Sequence, residues 1–431
     1  MKSRPASVFR LLPALLACLP AISGAIPNSF LGNGFFGPIV PAHPRFNANL
    51  TAELLTAAHW QPSGDLPGPW ADVATAPGVE IRQMSALPVL FGAVPDSVLA
   101  WGPPGRTREV IVTFVDAGSY FPYLAGGERS PDQREAGTER RADFDQLWHR
   151  AAQDLRQRLE TACGPGRTVA VGRGDRLRTV YTEWRWEDFR LRLARRDGHS
   201  VALHLSLAGE PAPGVLDDAV AALDGPTRAA ALSARVSTNA RGETVIGGIP
   251  VFDQGFTPYC GVHALAMVAH YHGLRLPPGA LAAGAGFANT GSARGSHTLD
   301  LHRAVAEELG YDCAISSRFD RRDIVRAIGA ELPVVVWRRV SLERETVHAA
   351  FARSLDRQPL LPLPLPGPRE LAMLPERTRQ SAPSHASVIC GLDTERGTVV
   401  YLEPWGAEAG ERRMALAEME ATVYAAFTFR P

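Results

Sequence analysis

The sequence predicts an α+β protein with two domains, and three observations support this prediction. The chain has 431 residues, more than a single hydrophobic core usually organises. Hydrophobic residues make up 45% of the chain and charged residues 21%, which is typical of a globular protein. Helical and strand-like patterns come in separate groups rather than in strict alternation, and this order favours an α+β fold.

Residues 1–25 have the pattern of an export signal. A basic start that includes Lys2 precedes the apolar stretch Leu11–Ile22, which is too short to span a bilayer, and small residues follow at 23–25. The segment that ends at Cys18 also resembles a lipobox, so lipoprotein anchoring through Cys18 stays open beside ordinary cleavage. In both cases we expect an exported protein, either periplasmic or secreted.

The charge composition excludes several classes of function. Lys+Arg and Asp+Glu both number 45, so no net field favours a nucleic acid or a membrane surface as partner. Lys2 is the only lysine and would leave with the signal. A mature chain without lysine forms no Schiff base and builds no P-loop. We expect no cofactor, and the sequence indicates no particular oligomeric state.

Residues 26–240 are predicted to form a small α+β region of unknown role. Up to about residue 108 the sequence is rich in Pro, Gly and Ala and has little periodicity. Glu109–Val115 has the pattern of a strand, and apolar residues on one face from Phe144 to Leu159 predict a helix that ends at Gly164. Three alternating runs then predict an antiparallel meander: Val180–Trp186, Phe189–Ala194 and Ser200–Ser206.

Residues 241–431 are predicted to form the second domain. A helix begins at Cys260 and stops before Gly273, and two more helices are expected around Leu301–Leu309 and after Asp320. The expected strands are Leu332–Trp337, Ala386–Cys390 and Thr398–Glu403, with a turn at 393–397 between the last two. Residues 341–384 interrupt this order, and their alternating prolines favour an extended polyproline conformation.

Cys260 is the candidate nucleophile because of its position at the start of a predicted helix. Free backbone N–H groups at a helix N-terminus lower the pKa of a thiol. Gln254 lies six residues earlier in a turn-rich segment, close enough for its amide to help hold an oxyanion. A buried thiol and an ordinary turn residue are the alternatives for Cys260 and Gln254.

The remaining cysteines and histidines do not predict a metal site. The other cysteines after the signal, Cys163, Cys313 and Cys390, are widely spaced and form no CxxC pair. His263, His270 and His272 share the nucleophile helix, but no carboxylate or cysteine joins them at ligand spacing. We therefore expect no bound metal, and we expect His270 and His272 to suit the negative end of the helix.

The segment Gln254–Gly273 resembles the nucleophile segment of papain-like cysteine peptidases that process double-glycine bacteriocin leaders. In that family a glutamine precedes the cysteine by six positions, and Cys-Gly is followed by a small-residue helix. Residues 385–391, which begin at His385, resemble the family's histidine segment, and Glu403-Pro404-Trp405-Gly406 resembles its closing Asp-Pro. The resemblance covers residues 247–431 and implies a papain-like fold in the second domain.

This resemblance also assigns roles, with three departures from the family pattern. Cys260 would be the nucleophile, His385 its base, Glu403 the acid that orients the imidazole, and Gln254 an oxyanion donor. Glu403 replaces the family's aspartate, and the insertion before His385 is long and rich in proline. No transporter sequence follows in the chain, so we expect the stand-alone exported form.

Hairpin geometry favours Glu403 over Asp393 as the acid. A hairpin centred near residues 394 and 395 would place His385 opposite Pro404 and beside Glu403. Asp393 would lie on the order of 25 Å along the strand from His385, whereas cross-strand neighbours have Cβ atoms about 5 Å apart.

The sequence thus predicts an exported thiol hydrolase that cleaves peptide or amide bonds in a peptide or protein substrate. Two alternatives use the same fold. One is an amidase or transpeptidase that acts on cell-wall peptides, and the other is a catalytically silent module that binds peptides.

Overall fold

The computed structural model describes residues 50–431 except 63, 77–78, 85–88, 122–130, 218–222, 224–226, 228–229, 233–234, 255–258, 285–297, 356–361, 375, 377–378, 380–381 and 407–408. The predicted signal, with Cys18, therefore lies outside the described residues. The fold is α+β, as expected, and most of its strands belong to two sheets of eight strands each.

The first sheet is antiparallel and has the strand order β1-β2-β3-β4-β8-β7-β6-β5. Its strands are β1 (Trp70–Ala76), β2 (Val79–Met84), β3 (Ser97–Gly102), β4 (Glu109–Asp116), β5 (Arg167–Val171), β6 (Thr179–Trp186), β7 (Phe189–Arg196) and β8 (Ser200–Leu207). Its helices are α1 (Leu50–Leu54), α2 (Ala117–Tyr120) and α3 (Pro131–Cys163), with a short 3-10 helix at Ala57–Trp60.

Helix α3 covers one face of the first sheet. Phe144, Trp148 and Leu155 of this helix are buried in one cluster with Val112 and Leu203 of the sheet. The predicted helix face and the predicted meander are both present. The weak periodicity before residue 108 hid the strands β1, β2 and β3, so the first region is a larger sheet than the sequence predicted.

The second sheet has the strand order β11-β16-β12-β13-β10-β9, with β14 paired to β13 and β15 paired to β14. Its strands are β9 (Val236–Thr238), β10 (Thr244–Ile246), β11 (Asp312–Ser316), β12 (Val334–Arg339), β13 (Ser384–Asp393), β14 (Thr398–Leu402), β15 (Glu411–Ala415) and β16 (Val423–Arg430). Its helices are α4 (Cys260–Tyr271), α5 (Pro278–Gly284), α6 (Thr298–Leu309), α7 (Arg321–Gly329), α8 (Leu342–Ala352), α9 (Pro368–Met373) and α10 (Leu416–Thr422).

Helices α4 and α7 begin where the sequence predicts. The side chain of Asp320 accepts hydrogen bonds from the N–H groups of Arg322 and Asp323 and so caps α7. Helix α4 packs mainly against β13, the strand that carries His385. This packing brings the start of α4 to the end of the sheet where β13 begins.

The insertion at 341–384 contains two helices, one on each side of the proline-rich stretch, whose described residues 362–367 are neither helix nor strand. Helix α8 occupies Leu342–Ala352, and the Ser341 side chain caps it by accepting from the Arg344 N–H. Helix α9 begins at Pro368, since proline is tolerated in the first turn, where its missing N–H has no helical partner. Local capping therefore explains why helices form at the two ends of the proline-rich stretch.

The two sheets share an apolar cluster. The cluster around the second sheet also contains side chains of the first sheet and its loops, among them Val79, Ile81, Trp101, Ile111 and Leu177. A polar contact reinforces this packing. The carboxylate of Glu308 on α6 accepts from the N–H groups of Arg173 and Gly174, in the loop between β5 and β6, at 2.8 to 2.9 Å.

Candidate active site

Cys260 is the first residue of α4 and is only partly exposed. Burial raises the pKa of the Cys260 thiol. A hydrogen bond and the charge of His385, together with the N–H groups of Ala386 and Gly261, outweigh this effect, so the pKa is lowered overall. The thiol therefore lies where both a helix N-terminus and an imidazole favour the thiolate.

The residue after Cys260 must be small. A Cβ atom at Gly261 would lie 2.1 Å from a ring carbon of Trp337, the neighbouring side chain on β12. The Cys-Gly pair thus has a steric reason in this structure. Only glycine lets α4 approach the Trp337 ring this closely at its first turn.

His385 and Glu403 form a buried pair. His385 Nε2 lies 2.6 Å from Glu403 Oε2, and neither side chain is exposed to solvent. Burial raises the pKa of the Glu403 carboxyl. The charges of His385 and Arg338 lower this pKa by more, so it lies below its usual value. Since Glu403 accepts at Nε2, the Nδ1 edge of the His385 ring is the one left to face Cys260.

The β13–β14 hairpin brings His385 and Glu403 together, although its register differs from the predicted one. Val388 pairs with Leu402, and the same spacing places Ser387, rather than Ala386, opposite Glu403. The centre of the hairpin turn lies one residue later in the chain than expected. A register shift at Cys390 separates the residue pairs near the turn from those near His385. Both carboxylate oxygens of Glu403 accept from the Ser387 hydroxyl at 3.0 Å.

Asp393, the rival acid, occupies the turn of this hairpin. Its carboxylate accepts from the N–H groups of Glu395 and Arg396 at 3.0 and 2.9 Å. This arrangement is an Asx turn, a local structural role that aspartate commonly has. Asp393 therefore lies at the far end of β13 from His385.

Gln254 is held beside the residues that follow Glu403. Its backbone N–H donates to the carbonyl of Pro404 at 3.0 Å, and its neighbour Asp253 forms an isolated antiparallel bridge with Trp405. Gln254 is 4% exposed. The four residues 255–258 between Gln254 and the N-cap residue of α4 lie outside the described part of the chain.

An aromatic side chain covers the histidine. The Trp405 ring stacks on His385 with a centroid distance of 4.8 Å and an interplanar angle of 29°. The guanidinium of Arg412 lies over the Trp405 ring, 4.6 Å from its centroid. The imidazole is therefore shielded from water, which strengthens its electrostatic interactions.

Three further polar residues at this site were not predicted from the sequence. Arg338 Nη2 lies 2.6 Å from Glu403 Oε1, and Arg338 Nη1 lies 2.7 Å from Glu345 Oε1. The Arg338 Nε–H donates to the Ser387 hydroxyl at 3.0 Å. One signal was available: an Arg-Arg pair closes the apolar run of β12, and Ser387 follows His385 by two positions, on the same side of the strand.

The other described cysteines lack the surroundings of Cys260. Burial raises the pKa of the Cys163 thiol, that of Cys313 to about 11 and that of Cys390 well above its usual value. Among the four cysteines that the structure describes, Cys260 alone has a lowered pKa.

The helical histidines face backbone carbonyls. His263 Nδ1 lies 2.9 Å from the Tyr259 carbonyl, and His270 Nε2 lies 3.0 Å from the Leu276 carbonyl. Burial lowers the pKa of His263 to about 4 and that of His270 to about 3. His270 is thus neutral at pH 7 and is not the cation at the helix end that the sequence suggested. Within the described residues no group of three or more His, Cys, Asp or Glu could hold a metal ion.

Comparison with known proteins finds a family match for the C-terminal part of the chain. Residues 246–430 match the family model described as Peptidase_C39 like family. This region is therefore similar to that peptidase family. The match confirms the resemblance that the Cys260 and His385 segments carry, and the family is one of papain-like cysteine peptidases.

Matches to individual proteins are few. The chain has no match among curated proteins. Among solved structures, a candidate C39-like peptidase from Bacillus anthracis is 16% identical with a TM-score of 0.29, over 44% of this chain and 98% of that one. Within the described part of the chain, none of the helices has the length and hydropathy needed to cross a membrane.

Proposed function

We propose that the protein is an exported thiol hydrolase that cleaves peptide or amide bonds with Cys260, His385 and Glu403. One observation carries the proposal. Cys260 is the described thiol whose pKa is lowered, and the histidine that lowers it has its Nε2 atom 2.6 Å from a buried carboxylate. This order of groups, a thiol at a helix start followed by an imidazole and an acid, is that of a thiol hydrolase.

The first half of the reaction forms an acyl-enzyme. The Cys260 thiolate attacks the carbonyl carbon, and the carbonyl oxygen becomes an oxyanion. The Cys260 N–H and the Gln254 side-chain amide stabilise that oxyanion. The tetrahedral intermediate then collapses, the C–N bond breaks, and the His385 imidazolium gives its Nδ1 proton to the departing amine.

The second half restores the enzyme. His385, now neutral, takes a proton from a water molecule, which attacks the thioester carbonyl. The second tetrahedral intermediate releases the carboxylic acid, and the thiolate and imidazolium are formed again. Glu403 holds the Nε2–H of His385 throughout, so the same ring edge always faces Cys260.

Trp405 and the burial of the triad support this chemistry by excluding water from its far side. The Trp405 ring stacks on His385, and Glu403 is fully buried. The Cys260 side, which is partly exposed, is open to the water that attacks the acyl-enzyme. Electrostatic interactions along the buried side are correspondingly stronger.

Alkylation of the thiol tests the proposal without knowledge of the substrate. The purified mature chain is treated with iodoacetamide at pH 6, and the modification of each cysteine is followed by peptide mass spectrometry. We expect Cys260 to react faster than Cys163 and Cys313 by about tenfold or more, because only its thiolate is stabilised. Cys260 reacting as slowly as those two residues would overturn the proposal.

Hydrolysis is then tested with a mixture of unrelated peptides, whose new termini are identified by mass spectrometry. Cleavage that disappears in Cys260→Ala is expected. Transfer of the acyl group to an added amine would indicate a transpeptidase, and cleavage confined to cell-wall peptides would indicate an amidase. Rapid alkylation without cleavage of any of these substrates would favour the catalytically silent peptide-binding alternative.

A further inference from the structure

The triad acid is fixed on two sides by groups outside the triad. Glu403 Oε1 lies 2.6 Å from Arg338 Nη2, while Oε2 faces His385 at the same distance. The Ser387 hydroxyl lies 3.0 Å from both oxygens. A glutamate has one more side-chain torsion than an aspartate. Without these contacts its carboxylate would therefore be harder to hold in one orientation.

Arg338 is itself rigidly placed. Its Cα lies directly opposite that of His385 in the β12–β13 ladder, and the side chain is 2% exposed. Each nitrogen of its guanidinium has a different partner: Nε donates to Ser387, Nη1 to Glu345 and Nη2 to Glu403, at 3.0, 2.7 and 2.6 Å. The Tyr401 ring lies beneath the guanidinium at 5.3 Å. This fork can take only one orientation.

Glu345 provides the counter-charge to Arg338. It is 2% exposed on helix α8, and its other oxygen accepts from Arg412 at 3.3 Å. His348, one turn along the helix, lies 3.7 Å from Glu345 and 3.2 Å from Glu418. Charges therefore alternate in sign from the Cys260 thiolate to Arg412, and no two like charges are direct neighbours in this chain of contacts.

The catalytic cycle makes a specific demand on this arrangement. When His385 has given its proton to the leaving amine, Glu403 is a buried carboxylate beside a neutral imidazole. A carboxylate so placed tends to take up a proton, because burial disfavours its charged form. Arg338 has no part in the proton transfers, so its charge beside Glu403 persists through that step.

We propose that Arg338 is a positioning residue that keeps Glu403 ionised and oriented towards His385, and that Glu345 balances its charge. This inference rests on the proposed function. The buried Arg338–Glu345 pair costs desolvation free energy that such pairs often fail to recover in stability. Its position directly behind the triad acid points to positioning of Glu403 rather than to stabilisation of the fold.

Two single substitutions that remove charges of opposite sign give the sharpest test. Arg338→Met removes a positive charge and raises the pKa of each ionisable neighbour, whereas Glu345→Gln removes a negative charge and lowers it. The measurement is the rate of Cys260 alkylation by iodoacetamide from pH 4 to 10, with site-resolved detection. We expect the acid limb to move up by about 0.5 to 1 pH unit in Arg338→Met and down by a similar amount in Glu345→Gln.

Turnover provides a second readout. Arg338→Met is expected to lower kcat by about tenfold to a hundredfold with little change in KM, because Arg338 is buried and lies behind Glu403. In a Glu403→Gln background the same substitution should change kcat less than threefold, since the residue it acts through is already altered. Arg338→Lys keeps the charge but not the fork, so we expect a wild-type acid limb with a several-fold lower kcat.

The outcomes separate this inference from the proposed function. Slow Cys260 alkylation in the wild type would defeat the proposed function itself. A fast wild type whose acid limb stays in place in both Arg338→Met and Glu345→Gln, or moves the same way in both, would overturn the role of Arg338 alone. Should Arg338→Met fail to fold, an acid limb that stays in place in Glu345→Gln together with a wild-type kcat in Arg338→Lys would overturn that role.

Discussion

Both sheets bury a cluster of charged side chains, but the two clusters differ in what lies at their edge. In the first sheet, Glu183 is 1% exposed and accepts from Arg192 at 2.8 Å, with Arg190 3.8 Å away. Arg190 also donates to the backbone carbonyls of Leu207, Ala208 and Glu210 at 3.1 to 3.2 Å. This cluster ties strands and loops together.

In the second sheet, the corresponding cluster ends at a reactive group. Glu403 and Arg338 lead to His385, whose hydrogen bond contributes to the lowered pKa of Cys260. The comparison teaches that a buried ionic cluster does not by itself mark a catalytic site. The distinguishing feature is a nucleophile at a helix N-terminus beside the last member of the cluster.

The largest effect is expected from the nucleophile. Cys260→Ala should abolish hydrolysis and leave the melting temperature almost unchanged, since the partly exposed side chain fills little of the core. Peptide cleavage and thermal unfolding of the pure variant measure the two quantities. Turnover retained by Cys260→Ala would exclude the mechanism, whereas Cys313→Ala, with its partly exposed and unactivated thiol, serves as the matched control and should keep full activity.

Removal of the first sheet tests whether the two regions are separable. The sequence predicts a separate second domain at residues 241–431, but two features of the structure favour a shared fold. Strand β9 (Val236–Thr238), which pairs with β10, would be lost, and Val245, Leu265 and the rest of the shared apolar cluster would lose their partners from the first sheet. We expect a fragment of residues 241–431 to aggregate or to unfold without a cooperative transition.

A monomeric fragment with a cooperative melt and fast Cys260 alkylation would contradict this expectation. A milder variant of the full chain makes the same comparison at one contact. Glu308→Ala leaves the N–H groups of Arg173 and Gly174 without their carboxylate. We expect it to lower the free energy of unfolding by about 1 to 3 kcal/mol.

The triad acid comes next in size. Glu403→Ala should lower kcat by about 10² to 10⁴-fold, less than loss of the nucleophile, because the acid orients His385 and does not react. Asp393→Ala is the matched control on the same hairpin and should change kcat less than twofold, since its carboxylate only caps the turn. If Asp393→Ala proved the more damaging substitution, the assignment of the acid would be wrong.

How far the sequence predicts this hairpin depends on its turn and its bulge. The turn residues and the alternation in β13 were enough to bring Glu403 rather than Asp393 to His385. The register was one residue off at Glu403, because neither the exact turn centre nor the irregularity at Cys390 leaves a pattern in the hydrophobic sequence. A glutamate side chain is long enough to reach His385 in the observed register as well, so the predicted contact between the two residues is present.

Burial on both sides of a strand hid two features from the sequence pattern: the packing of the two sheets against each other and the buried position of Arg338. All of β4 except Asp116 is buried, since one face meets α3 and the other meets the second domain. The alternation of polar and apolar residues is lost in β4. The sequence pattern therefore does not reveal that other layers pack on both faces of this sheet. Arg338 was missed for a similar reason: an arginine after an apolar run is normally a solvated strand end, and only the fold shows that it is buried beside Glu403.

Gln254 tests the oxyanion side of the site. Gln254→Ala should lower kcat by about 10²-fold on a substrate for which chemistry is rate-limiting, the usual effect of deleting one oxyanion donor. The backbone of Gln254 already bonds the Pro404 carbonyl, so the fold should tolerate the change. Gln254→Glu is a useful companion, because it keeps the size but removes the donor at neutral pH. An unchanged kcat in both variants would leave Gln254 a purely structural residue.

The smallest effect on catalysis is expected from the cluster of the first sheet. Glu183→Ala leaves Arg192 and Arg190 buried without their carboxylate, and removing one partner of a buried pair typically costs about 3 to 5 kcal/mol of stability. The kcat of the folded fraction should nevertheless match the wild type, since no contact of Glu183 leads to Cys260. Chemical denaturation and active-site titration with iodoacetamide measure stability and the folded fraction separately. Glu160→Ala, at an exposed ion pair with Arg156 on α3, is the control and should cost about 0.5 kcal/mol or less. A lower kcat per alkylatable Cys260 in Glu183→Ala would show that the first sheet takes part in catalysis, and the distinction between the two clusters would then fail.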